Sequence, residues 1–168
     1  MGQEISRTRF TAGDFERFEA RLADETRRFG ELVRGGRLSS RAFMVGFELE
    51  AWLIDHNYFP APINTEYLAA LGNPLVVPEL SRFNVELNGT PQPLCGRGLS
   101  LIEAELRATW RHCLEVSHAM DSALMMIGIL PTIRESDLTL ANISAMNRYA
   151  ALNEQILRRR GGRPIGID

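Results

Sequence analysis

The sequence predicts an α+β fold, with helices packed on a mainly antiparallel sheet. Three observations carry this. Val45–Asp55 and Glu79–Asn88 alternate large apolar residues with polar ones at period two. Phe15, Phe18, Leu22, Phe29, Leu32 and Val33, and later Leu106, Trp110 and Cys113, recur at helical spacing. From residue 42 onward the elements follow as strand, strand, long helix, strand, helix, strand.

Taken in order, the first helix runs from Asp14 to about Val33, capped by Thr11 or Asp14 and stopped by Gly35 and Gly36. After Arg41 the period falls to two and holds to Asp55, and His56 and Asn57 turn the chain into Pro60–Pro62. A short helix is expected around Glu66–Leu71, ended by Gly72, Asn73 and Pro74. The second strand spans Glu79 or Leu80 to Asn88. Gly89 to Pro91, with Gly96 and Gly98, mark a loop, and Ser100 with Glu103 is a capping-box signature for the long helix. Its buried stripe would be Leu99, Ile102, Leu106, Trp110, Cys113, Leu114, Ser117 and Met120. Ala123–Leu130 reads as a buried strand whose methionines fill gaps in the core. A last helix runs from about Ser144 to Arg160, with Gly161 and Gly162 at its C-cap, and Pro164–Asp168 begin a further strand. The 168 residues suit a single domain, with an N-terminal helix at about 14–34 and a sheet-plus-helix region at about 42–168.

Composition excludes several function classes. A formal net charge of -2 offers no electrostatic attraction to nucleic acid or to an anionic membrane, and no apolar run is long enough to span a bilayer. With no export signal at the N-terminus, a cytoplasmic protein is expected. All 19 basic residues are arginine, so no Walker A lysine, Schiff-base lysine or lysine general base exists in these residues. Cys95 and Cys113 form neither a CxxC pair nor a disulfide framework and read as reduced structural thiols.

The two strands carry the chemistry. Side chains alternate across a strand, so Glu48 and Glu50 oppose Phe47, Leu49 and Ala51, while Asn84, Glu86 and Asn88 oppose Phe83, Val85 and Leu87. If the strands share a sheet, three glutamates converge. Glutamate is disfavoured in strands and clustered like charges repel, so the pattern is either a solvated face or a site that holds a cation. An all-carboxylate set would suit Mg²⁺ or Mn²⁺. His112 and His118, six apart, do not share a ligand-binding helix face, and His56 reads as a turn residue. Arg148, near the start of the last helix, is suited to a bidentate grip on a carboxylate, or to a surface salt bridge.

Gly46-Phe-Glu-Leu-Glu50 is similar to the GxExE strand that opens the glutamate–cysteine ligase superfamily. Val85-Glu-Leu-Asn88 with Thr90 and Pro91 resembles its second acidic strand, and Gly128–Pro131 and Asn147-Arg-Tyr149 match later landmarks in the same order. The resemblance implies part of a glutamine synthetase-like catalytic fold and an ATP-dependent carboxylate–amine ligase. Such enzymes activate the γ-carboxylate of glutamate as an acyl phosphate, and the amine of cysteine displaces phosphate to give γ-glutamylcysteine. Carried over, Glu48, Glu50 and Glu86 would be Mg²⁺ ligands, Glu79 a further candidate for the cluster, and Arg148 a grip on a substrate carboxylate or phosphate. Two positions depart from the pattern: Leu130 stands where many relatives carry a polar residue, and Gly89 is an extra residue before Thr90. Members of the family are typically more than twice as long, so the chain is expected to be an N-terminal portion whose exposed sheet edges favour self-association. Three rival readings remain: a related ligase with another amine, a metal-dependent hydrolase, and a non-catalytic oligomerising or regulatory module.

Overall fold

In the computed structural model, which describes residues 3–39 and 43–163, the alternating stretches meet at the centre of a four-stranded antiparallel sheet of order β3-β4-β2-β6. The strands are β2 (Glu48–Ile54), β3 (Val76–Pro78), β4 (Asn84–Asn88) and β6 (Ala123–Met125). A separate two-stranded ribbon pairs β1 (Met44–Val45) with β5 (Gln92–Pro93). The helices are α1 (Ala12–Arg34), α2 (Asn64–Leu71), α3 (Gly98–Ala119) and α4 (Asn147–Arg159). The coarse α+β, antiparallel class is therefore present. No helix among the described residues is long and apolar enough to cross a membrane.

Contacts group the described residues into two units, one from Phe43 to Ser144 and one comprising residues up to 39 together with those from Ala145 onward. The last helix, placed by sequence with the sheet region, thus groups with the N-terminal helix.

In the sheet unit, period-two alternation puts Ala51, Leu53, Val85 and Leu87 on one face. They pack with Val76, Leu124, Tyr67, Leu71 and Cys113 into the core. Each large side chain so buried contributes about 1.5–3 kcal/mol. Polar ties fix the helices over this face. The Tyr67 hydroxyl donates to the Cys113 carbonyl (2.9 Å), and His112 Nε2 meets the Leu71 carbonyl (3.1 Å). Burial pushes both the Tyr67 hydroxyl and the Cys113 thiol above their ordinary ionisation range, which suits inert structural groups. Asn64, 1 % exposed, donates from Nδ2 to the carbonyls of Ser81 and Asn84 and to Ser144 Oγ. His56 is held by Asp121 (2.7 Å) beside the turn that Asp55 organises, in keeping with a turn role.

Several sequence expectations shift. The second strand covers only Asn84–Asn88, and Val76–Pro78, unassigned by pattern, forms the edge strand β3. Its end at Pro78 follows from the missing N–H. Ala123–Leu130 is a strand only to Met125. Met126, Ile127 and Ile129 are exposed beyond it, and Leu130 alone returns to the interior. Trp52 holds the departing chain through Nε1–H to the Ile127 carbonyl (3.0 Å). The capping box at Ser100 and Glu103 does not form, because α3 starts earlier on a turn in which the Gly98 N–H donates to the Cys95 carbonyl. Leu99, expected in the buried stripe, is 63 % exposed, while Thr109, Cys113 and Ser117 are buried.

In the helical unit, Thr11 caps α1 in a reciprocal box. Its Oγ1 accepts from the Asp14 N–H (3.3 Å) and its own N–H donates to Asp14 Oδ2 (2.8 Å). Glu4 accepts from the Arg148 N–H at the start of α4 (3.2 Å), and Asn147 Nδ2 donates to the Ile5 carbonyl (2.8 Å). Gly161 and Gly162 follow α4 at positive φ, as the C-cap reading expects. The strand expected at 164–168 lies outside the described residues.

Candidate functional site

The candidate site is the face of β2 and β4 opposite the core. Register pairs Glu48 with Asn88, Glu50 with Glu86 and Trp52 with Asn84, so these six side chains share one face. The phase of the ladder sharpens the geometry. The Leu53 N–H donates to the Phe83 carbonyl (2.8 Å) and the Gly89 N–H to the Phe47 carbonyl (3.0 Å), which marks both as hydrogen-bonded pairs. Bonded and non-bonded pairs alternate, so Glu50–Glu86 and Glu48–Asn88 occupy the narrow non-bonded positions, with Cα atoms about 4.5 Å apart.

Environments differ within the group. Glu86 is 6 % exposed, and its Oε1 accepts from Asn88 Nδ2 (2.9 Å), while Glu48 and Glu50 are exposed. β6 pairs with β2 only from Trp52 to Ile54, so among the described residues no strand flanks Glu48 and Glu50 on that side.

Gly46, Phe47, Glu48, Asn88, Gly89 and Pro91 line a cleft of about 390 Å³ at this end of the sheet. Gly89 has a steric reason. A Cβ there would sit 2.3 Å from the Phe47 ring. The following turn is pinned by Glu105 of α3, whose two carboxylate oxygens accept from the N–H and Oγ1 of Thr90, each at 2.7 Å. Leu130 is 1 % exposed and belongs to the interior.

The remaining sequence candidates stand elsewhere. Glu79 follows the end of β3, outside the pairings that align the other three glutamates, and its carbonyl accepts from Ser144 Oγ. Arg148 lies in the first turn of α4, in the helical unit. Its guanidinium lies 4.6 Å from the Tyr149 ring centroid, and Nη2 donates to the Tyr149 hydroxyl (2.8 Å).

The donor chemistry of Glu48, Glu50 and Glu86 fits a hard divalent cation, since all are carboxylate oxygens on one face. Among the described residues, however, no three His, Cys, Asp or Glu side chains are already gathered as a metal ion would require. The backbone brings the carboxylates side by side, and their side chains would have to turn inward to share an ion.

Sequence reasoning found the shared face and missed Asn88 as the partner of Glu86 and Glu105 as the anchor of Thr90. Asn88 was visible two positions along the same strand face. Glu105 gave no signal, because its contact spans a loop. In comparisons with protein-family models, curated proteins and solved structures, nothing matches the chain.

Proposed function

We propose that the carboxylate face of β2 and β4 is the cation-holding floor of an ATP-dependent carboxylate–amine ligase similar to glutamate–cysteine ligase. The observation that carries this reading is Glu50 directly across from Glu86, with Glu48 on the same face. Like charges so placed destabilise a sheet, and a divalent cation between them reverses the sign of the interaction. Glu48, Glu50 and Glu86 would hold Mg²⁺ or Mn²⁺. The bound cation supplies charge neutralisation and alignment for phosphoryl transfer from ATP to the γ-carboxylate of glutamate. The amine of cysteine then displaces phosphate, yielding γ-glutamylcysteine, ADP and phosphate. On this reading Asn88 orients Glu86, and the Thr90–Glu105 tie keeps the Gly89 turn beside the cleft. A ligase of the same chemistry with another amine uses the same face, and product analysis with a panel of amino acids separates the two. The setting proposed is the cytoplasm, with small-molecule substrates and neither nucleic acid nor membrane as partner.

Titration calorimetry with Mn²⁺ and with Mg²⁺-ADP tests the reading. Binding to the native chain that is lost in Glu48→Gln and in Glu50→Gln supports it, and a native chain that binds neither ligand overturns it. The exposed apolar residues of α1 favour a second reading, a non-catalytic oligomerising module. That reading expects metal affinity to be unchanged in both variants.

A further inference from the structure

We infer that α1 is a self-association surface that pairs antiparallel with α1 of a second copy of this chain. The inference is independent of the ligase reading. None of the residues of α1 is buried, yet Phe15 (44 % exposed), Phe18 (65 %), Leu22 (51 %), Phe29 (59 %) and Val33 (48 %) follow one another at helical spacing. They form a single stripe about 27 Å long at the helical rise of about 1.5 Å per residue.

The area fits a second copy. Aromatic side chains offer about 150–250 Å² each, so at these exposures the five residues present roughly 500 Å² of surface. A standard interface takes about 800 Å² from each partner, and in homodimers about 65 % of it is apolar. The stripe thus supplies the apolar share of one half of such an interface, with the flanking charged residues left for the rim.

The spacing fits a twofold axis. About Asp24 the stripe is nearly palindromic: Phe15 and Val33 are equidistant from it, Phe18 and Phe29 nearly so, and Leu22 lies close to it. An isologous contact matches each patch to itself by such a rotation. Antiparallel pairing lays Phe15 on Val33 of the second copy, Phe18 beside its Phe29, and the two Leu22 side chains on either side of the axis. The Arg21–Glu25 ion pair (2.9 Å) flanks the stripe at the same level. In antiparallel order this edge faces the same edge of the second copy, so each Arg21 comes beside Glu25 of the second copy.

Sedimentation equilibrium on the full chain, carrying Cys95→Ser to remove the exposed thiol, tests this. The expected result is a mass that rises with concentration from 18.9 kDa toward twice that value. Phe18→Glu and Phe29→Glu should abolish the rise. Both residues are more than half exposed, so circular dichroism should show the fold intact. In the same background Glu25→Cys should form a disulfide dimer on mild oxidation, and Val33→Cys should not. A native chain that stays monomeric through the micromolar range, a dimer that survives Phe18→Glu, or cross-linking through Val33→Cys would each overturn the proposal.

Discussion

Glu50 of β2 lies directly opposite Glu86 of β4, in a narrow pair of the antiparallel ladder. Opposed like charges weaken strand pairing by about 0.2–1 kcal/mol. Glu50→Gln is therefore expected to raise the urea midpoint of metal-free protein by a corresponding amount, since Glu50 is exposed and its amide analogue fits the same space. With Mn²⁺ present the order should reverse: the native protein gains thermal stability and the variant does not. A native protein whose melting temperature ignores Mn²⁺ would leave the pair as a plain liability of the sheet.

Asn64 is the buried polar junction of the sheet unit, donating to two carbonyls and a serine hydroxyl. Asn64→Ala leaves these acceptors without their donor and opens a small void. The expected loss is about 2–4 kcal/mol, read from denaturant unfolding. Thr65→Ala, on the exposed side of the same helix turn, provides the comparison and should change stability by less than about 1 kcal/mol.

Gly98 opens α3 at a place where a Cβ would lie 2.0 Å from the Pro93 carbonyl oxygen. Backbone cannot swing aside as a side chain can. Gly98→Ala should force β5 and the start of α3 apart and lower stability by about 1–3 kcal/mol. Chemical unfolding against the native chain measures it, and an unchanged midpoint would show that the two segments part freely.

Hydrogen bonds from the Thr11 backbone and side chain, aided by Arg7 and Arg17, hold the Asp14 carboxyl well below the usual carboxylate range. The folded state therefore resists protonation more than the unfolded state does. The stabilisation is fully present above the unfolded carboxylate value of about 3.9 and is lost as pH falls through the lower folded value. Helix content followed by circular dichroism should decline over that acid interval in the native chain. Asp14→Asn should remove this part of the decline.

Legibility in the sequence followed the range of the interactions. Period-two alternation placed Glu48, Glu50 and Glu86 on faces that the structure aligns, and local capping chemistry located Thr11, Asp14 and Gly35. Register was not legible, because it depends on which residues of two distant strands meet; only the structure shows that Glu50 meets Glu86 rather than Asn88. The Ser100 and Glu103 signature misled because α3 starts earlier, on the turn in which the Gly98 N–H donates to the Cys95 carbonyl. The apolar run from Met126 to Ile129 looked like core, yet the chain leaves the sheet at Met125, and hydrophobicity alone does not report where a strand loses its neighbour.

The strand order also implies a sequence of events in time. β3 and β4 are neighbours along the chain and close as a local hairpin, whereas β2 must join across the whole of α2 and β6 across the whole of α3. Loop-closure entropy grows with the length of chain enclosed, so the hairpin forms at least cost and β6 docks at greatest. Amide exchange should follow the reverse order of closing. Protons bridging β2 and β6 leave first, and those in the β3–β4 hairpin persist longest, making the hairpin the kinetic foundation on which the acidic strand is laid.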